Sequence, residues 1–92
     1  MILDFADTAT RDIYDGLDSK AARQIPKALW AIVRRKLDQL NRAATIEDMR
    51  APPNNRLMKY KGGYKIRVND RYRVTFKFHK GNATEVCVSD TH

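Results

Sequence analysis

The clearest pattern along the chain is an apolar stripe between positions 25 and 40. Ile25, Ala28, Leu29, Ile32, Val33, Leu37 and Leu40 recur at intervals of three and four, the signature of one buried helix face. Pro26 fits the first turn of that helix, where a missing N–H costs nothing. Lys27, Arg34, Arg35, Asp38 and Gln39 form the opposite, solvated face, and Trp30 falls at the edge of the stripe as a packing residue. Upstream, MILDF reads as a short first strand. Asp7 or Thr8 then caps a short helix running to about Leu17, ended by Gly16 and Asp18-Ser19. Downstream, Ala43-Ala44-Thr45 closes the long helix, and TIEDMR makes one further turn capped by Thr45.

APPNN breaks this regularity, and beyond it the period switches to two. A strand is expected over about 56–60. Tyr64, Ile66 and Val68 then alternate with Lys65, Arg67 and Asn69, and Tyr72, Val74, Phe76 and Phe78 alternate with Arg73, Thr75, Lys77 and His79. Thr84, Val86 and Val88 continue after the turn KGN. The pattern predicts an α+β domain spanning residues 1–92, with an N-terminal strand and helices packed on one face of a mostly antiparallel sheet. Asn69-Asp70-Arg71 as a three-residue loop pairs Ile66 with Val74 and keeps the apolar residues together. That register sets Arg67 directly opposite Arg73 on the open face, a like-charge pair that destabilises a sheet unless an anion or a carboxylate compensates it.

Charge sharpens this picture. The net charge of +7 is concentrated in the second half: residues 1–50 hold nine Lys/Arg against eight Asp/Glu, and residues 51–92 hold nine against three. A basic second half points to a polyanion, with a merely solubilising surface as the competing reading. No run of about 18 apolar residues exists, so no membrane span is expected. The acidic opening, MILDFADTATRD, lacks the pattern of a signal peptide, which points to the cytoplasm. The single cysteine, Cys87, is expected to be a small core residue, and it is too few for a thiolate metal site.

A basic sheet face can hold RNA through its phosphates, with Tyr60 available for stacking, since alternation assigns Tyr64 and Tyr72 to the core side. Cleaving RNA requires more. A base must take the 2′-hydroxyl proton, cations must stabilise the phosphorane, and an acid must protonate the leaving 5′-oxygen, without any metal or cofactor. The chain has two histidines: His79 sits beside a turn, while His92 follows Asp90 with one residue between. Strict alternation from Val86 and Val88 puts Asp90 and His92 on the apolar face. A site that includes them therefore needs a bulge or a turn after Val88.

The run PPNNRLMKYKGGYKIRVNDRYRVTFKF, followed by a turn, a strand and a closing Asp-x-His, resembles the HigB toxins of the RelE superfamily. The segment RRKLDQLNRAATIEDMR is similar to the family's sequence just upstream. The resemblance implies a RelE-like fold and a ribosome-dependent endoribonuclease that cuts mRNA in the A site and stops translation. It further implies a HigA-type helix-turn-helix antitoxin, with operator DNA bound only through that antitoxin, in a bacterial cytoplasm. Carried over residue by residue, it makes Asn55, Arg56, Lys59, Lys61 and Asn69 candidates for RNA contacts. It makes Arg67 and Arg73 stabilisers of the transition state, and Asp90 and His92 the proton-transfer pair. Two departures stand out: Thr91 replaces the tyrosine of the family's terminal triplet, and Lys61-Gly62-Gly63 is shorter than the corresponding linker. Two competing functions use the same residues: a non-catalytic basic module that binds RNA or an antitoxin, and a family member kept only for complex formation.

Overall fold

In the computed structural model of the chain, the structure describes residues 1–90. Thr91 and His92 lie outside the described residues, and with them half of the expected proton-transfer pair.

Helix α1 spans Thr8–Asp15. Asp7 caps it by accepting a hydrogen bond from the Thr10 amide at 2.9 Å, and Gly16 ends it at φ +78, where its N–H reaches the carbonyls of Asp12 and Ile13. Helix α2 spans Trp30–Arg42, so it starts five residues after Ile25. Two successive residues are extended: Ile25 at φ −100, ψ 132, as the steric rule before proline requires, and Pro26 itself at ψ 129, which keeps it out of the first turn. Short 3₁₀ turns at Ala22–Gln24 and Lys27–Leu29 cover the gap. The displacement leaves Ala28 exposed and carries Trp30 inside, where its indole N–H donates to the Ile25 carbonyl at 2.9 Å. Val33, Leu37 and Leu40 are fully buried, as the stripe predicts.

The sheet is a four-stranded antiparallel meander: β1 Met58–Tyr60, β2 Gly63–Arg67, β3 Tyr72–His79 and β4 Asn82–Asp90. Two of its turns are two residues long. Lys61-Gly62 and Lys80-Gly81 all have positive φ, the geometry that matches the twist of the flanking strands. The N-terminal segment lies parallel to the outer edge of β4 as isolated bridges, Ile2 to Ala83 and Phe5 to Val86, rather than as a full strand. The expected pairing of Ile66 with Val74 is found, with the Val68 amide bonded to the Tyr72 carbonyl at 3.0 Å across the turn.

The sequence pattern missed a β-bulge in β4. Lys77 pairs with Thr84 and Thr75 with Cys87, so Glu85 and Val86 share the position opposite Phe76, and Glu85 takes φ +52. The bulge resets alternation, so Ala83, Val86 and Val88 all face the core while Thr84 faces outward with Lys77. These residues join Ile66, Val74 and Phe76 under α1 and α2, and leave the other face of the sheet open. Cys87 pairs with Thr75 on that other face, half-buried, with its thiol 3.2 Å from the Asp7 carboxylate. Burial, then the Asp7 contact, pushes the Cys87 pKa up, although Ser89 opposes the shift.

Candidate active site on the open face of the sheet

The register arranges the open face in rows across the strands. One row runs Arg67–Arg73–Ser89, the next Met58–Lys65–Thr75–Cys87, and a third carries Tyr60, Lys77 and Thr84. Arg67 and Arg73 are therefore direct cross-strand neighbours, as the three-residue turn predicts.

That turn compensates the like-charge pair. Arg67 is hydrogen-bonded to the fully exposed Asp70 carboxylate, and Arg73 turns back on the carbonyls of Asn69 and Tyr72. The Asp70 pKa is lowered first by the hydrogen bond from Arg67 and by its charge, and further by Arg73 and Arg56. Arg56 is thus part of the same field. It sits in left-handed backbone at φ 49 just before β1. One arginine contacts this carboxylate, which is itself in water, and the charges of two more act on it from further away.

The remaining candidates occupy different places. Asn69 spends its side-chain oxygen on the turn, accepting from the amides of Arg71 at 2.9 Å and Tyr72 at 2.7 Å. Asn55 is a correction. It is fully buried, so a direct RNA contact gives way to a structural role. Its amide nitrogen donates to the carbonyls of Met49 and Ala51 and to Gln39, and its oxygen accepts from the buried Lys36 ammonium at 2.5 Å. Lys59 pairs with Tyr64, which puts it on the opposite face of the sheet from Arg67 and Arg73, exposed at the edge.

Lys61 lies at the other end of the open face, beside Tyr60, the aromatic that the sequence left available for stacking. The Lys61 ammonium is 5.2 Å and the Lys65 ammonium 4.7 Å from the Tyr60 ring centre, two cation–π contacts on one aromatic. With Gly63, Thr75 and Lys77, Tyr60 borders a shallow depression. Four residues along β2 separate it from the arginine row, about 13 Å at the usual strand rise. The two-residue turn that pairs Tyr60 with Gly63 is what puts it on the face opposite Tyr64.

Asp90 does not join the arginines. β4 stays regular from Cys87 to Asp90, so the bulge lies ahead of Val88 and no turn follows it within the described residues. Asp90 pairs with Tyr72 in register, and its carboxylate accepts from Arg71 Nε at 2.7 Å, at the rim of the sheet beside the Asn69–Arg71 turn. Ser89, one residue earlier, faces Arg73. Among the described residues no three His, Cys, Asp or Glu side chains converge in a way that could hold a metal ion. No helix of the described residues is long and apolar enough to cross a membrane.

Comparison with known proteins places this arrangement in a family. The family described as RelE-like toxin of the type II toxin–antitoxin system HigB matches residues 3–92. Toxin HigB-1 of Vibrio cholerae is 37% identical over 87 residues, 90% of each chain. An uncharacterised protein of Haemophilus influenzae is 34% identical over 67 residues, 68% of this chain and 66% of its own. The open basic sheet, the paired arginines and the helices behind them are the α+β scaffold on which the whole-chain match falls, and this chain belongs to the HigB-like family of RelE-like toxins of type II toxin–antitoxin systems.

Proposed function

We propose that the protein is a ribosome-dependent endoribonuclease that cleaves mRNA in the A site and so inhibits translation. The observation that carries this reading is the Arg67–Arg73 pair beside Lys65 on an open, base-accessible sheet face, in a chain of this toxin family. In the reaction, the 2′-oxygen attacks the adjacent phosphorus and the bond to the 5′-oxygen breaks. The products are a 2′,3′-cyclic phosphate and a free 5′-hydroxyl. A base removes the 2′-hydroxyl proton and an acid returns one to the leaving oxygen, so no metal or cofactor enters the balance. Arg73 and Arg67 stabilise the charge that builds on the phosphorane oxygens. Asp90 and His92 carry the protons, with Asp90 held at the rim by Arg71. Arg56 and Lys61 contact the RNA backbone at the two ends of the face, and Tyr60 stacks on a base about 13 Å from the arginines.

Its partners in this reading are the ribosome, mRNA and a HigA-type helix-turn-helix antitoxin that carries the pair to operator DNA, in the bacterial cytoplasm. Two observations favour a second reading, a basic module that binds without cutting: Asp90 is off the arginine face, and both guanidiniums are engaged by the turn. One experiment separates the two. Wild type, His92→Ala and Arg73→Ala are expressed without antitoxin, and mRNA ends are mapped by primer extension. The nuclease reading expects growth arrest and new 5′ ends from wild type and neither from the variants. Arrest by wild type without new 5′ ends would establish the binding module instead.

A further inference from the structure

A second basic cavity lies away from the open face, between α2 and the loop that precedes β1. Its lining includes Arg35, Lys36, Gln39 and Arg42 from the helix and Pro52 and Asn54 from the loop, around about 330 Å³. Three cations border it, and none of its lining residues is a carboxylate. The cavity exists because of local sequence. Arg35, Gln39 and Arg42 fall at intervals of four and three on one helix stripe. Gln39 fastens the loop against that stripe by donating to the carbonyls of Asp48, at 3.1 Å, and Ala51, at 2.5 Å.

Lys36 marks the cavity as more than a solvated charge run. It is only 6% exposed, yet an ammonium has three N–H donors and its one hydrogen-bond partner among the described residues is the Asn55 oxygen. Burying a cation with no carboxylate beside it is costly. The cost is visible, since burial lowers the Lys36 pKa, and the charges of Arg35 and then Arg67 lower it further. An anion would relieve all three effects. The turn Pro53–Asn55, which borders the cavity, packs against β2, the strand that carries Arg67.

We propose that this cavity is a phosphate-binding subsite that takes a backbone phosphate of an RNA strand lying beyond the open face. Arg35 and Arg42 supply exposed guanidinium forks, Lys36 a buried point charge, and the Asn54 amide a neutral donor. A strand rather than a single carboxylate fits the arrangement, because cations continue from here to Arg56 and Arg67 and a nucleic acid presents phosphates at regular intervals. The inference deepens the RNA reading above and rests on it.

The test uses the full chain, isotope-labelled, with two probes: inorganic phosphate and the octanucleotide rU8. Both are expected to shift the side-chain signals of Gln39, Asn54, Arg35 and Arg42. Affinity for rU8 is then measured against salt for wild type, for the exposed-site double variant Arg35→Gln/Arg42→Gln, and for Arg67→Gln. The double variant is expected to bind about tenfold more weakly, with a salt slope shallower by about one unit. Unchanged affinity and slope in the double variant, alongside a loss in Arg67→Gln, would overturn the subsite and leave the open-face reading intact. Loss in neither variant would defeat both. Shifts with inorganic phosphate but none with rU8 would overturn the strand in favour of a free phosphate. If bound antitoxin masks these signals while rU8 affinity and slope stay unchanged, the cavity is a protein contact and the proposal fails.

Discussion

At the scale of single residues, Asp70 is the counter-ion already present in the candidate site. It is fully exposed, so its attraction to Arg67 is screened by water and easily replaced by a phosphate. Asp70→Asn removes that competitor without touching the arginines. RNA affinity is expected to rise several-fold at low salt and to converge on wild type at high salt, as read by fluorescence anisotropy of a labelled oligonucleotide. Asn55 has the opposite character. It is fully buried and holds Gln39, Met49, Ala51 and Lys36 together, so its loss leaves a buried ammonium without its acceptor. Asn55→Ala is expected to cost about 2–4 kcal/mol in a urea melt, more than the loss of an ordinary hydrogen bond. Sequence reasoning could not separate these two roles. Asn55 and Arg56 are adjacent in an irregular loop, where no periodicity says which side chain turns inward. The Arg67–Arg73 pair was legible because a strand's period of two leaves only one register that keeps the core together.

At the scale of elements, the bulge at Glu85 decides which face β4 shows to the helices. Flattening the strand with every residue kept would put Ala83 on the face opposite Val86 and Val88, and burying each valine contributes about 1.5–3 kcal/mol. Deleting Glu85 removes the extra residue itself, so Ala83, Val86 and Val88 still alternate onto the core face. The deletion variant is expected to keep its cooperative thermal transition by circular dichroism, and loss of that transition would show that the bulge is needed for more than the register. The bulge was hidden in the sequence because Thr84, Val86 and Val88 alternate in an unbroken way, and threonine is as acceptable inside a strand as alanine. The helix boundary at Trp30 was hidden differently. Apolar periodicity runs straight through Pro26, and nothing in it shows that Pro26 is extended, at ψ 129, rather than helical. The long stripe, the two lysine–glycine turns and the meander order were readable, since each depends on local chemistry alone.

At the scale of the whole molecule, charge is divided by function. Excess positive charge lies in residues 51–92, of which 58–90 form the sheet and its turns, and the helices cover the reverse side. Binding to single-stranded RNA is therefore expected to weaken steeply with salt. With four or five phosphates engaged, the slope of log K against log salt is about −3, and filter binding between 50 and 200 mM salt measures it. A slope near zero would mean that stacking on Tyr60, not charge, governs the encounter. Chain order adds a temporal consequence. The edge of β4 is closed by the first residues of the protein: the Met1 ammonium bonds to the Gly81 carbonyl at 2.7 Å, and the Leu3 and Ala6 amides bond to β4 carbonyls at 2.8 Å. The first of these contacts spans 80 positions, so the segment waits for partners made much later in synthesis. Ala83, Val86 and Val88 also complete the core, so a nascent chain has no finished interior until β4 emerges. A chain ordered this way completes its sheet, its core and its open face in one late step, because each of them waits for the same strand.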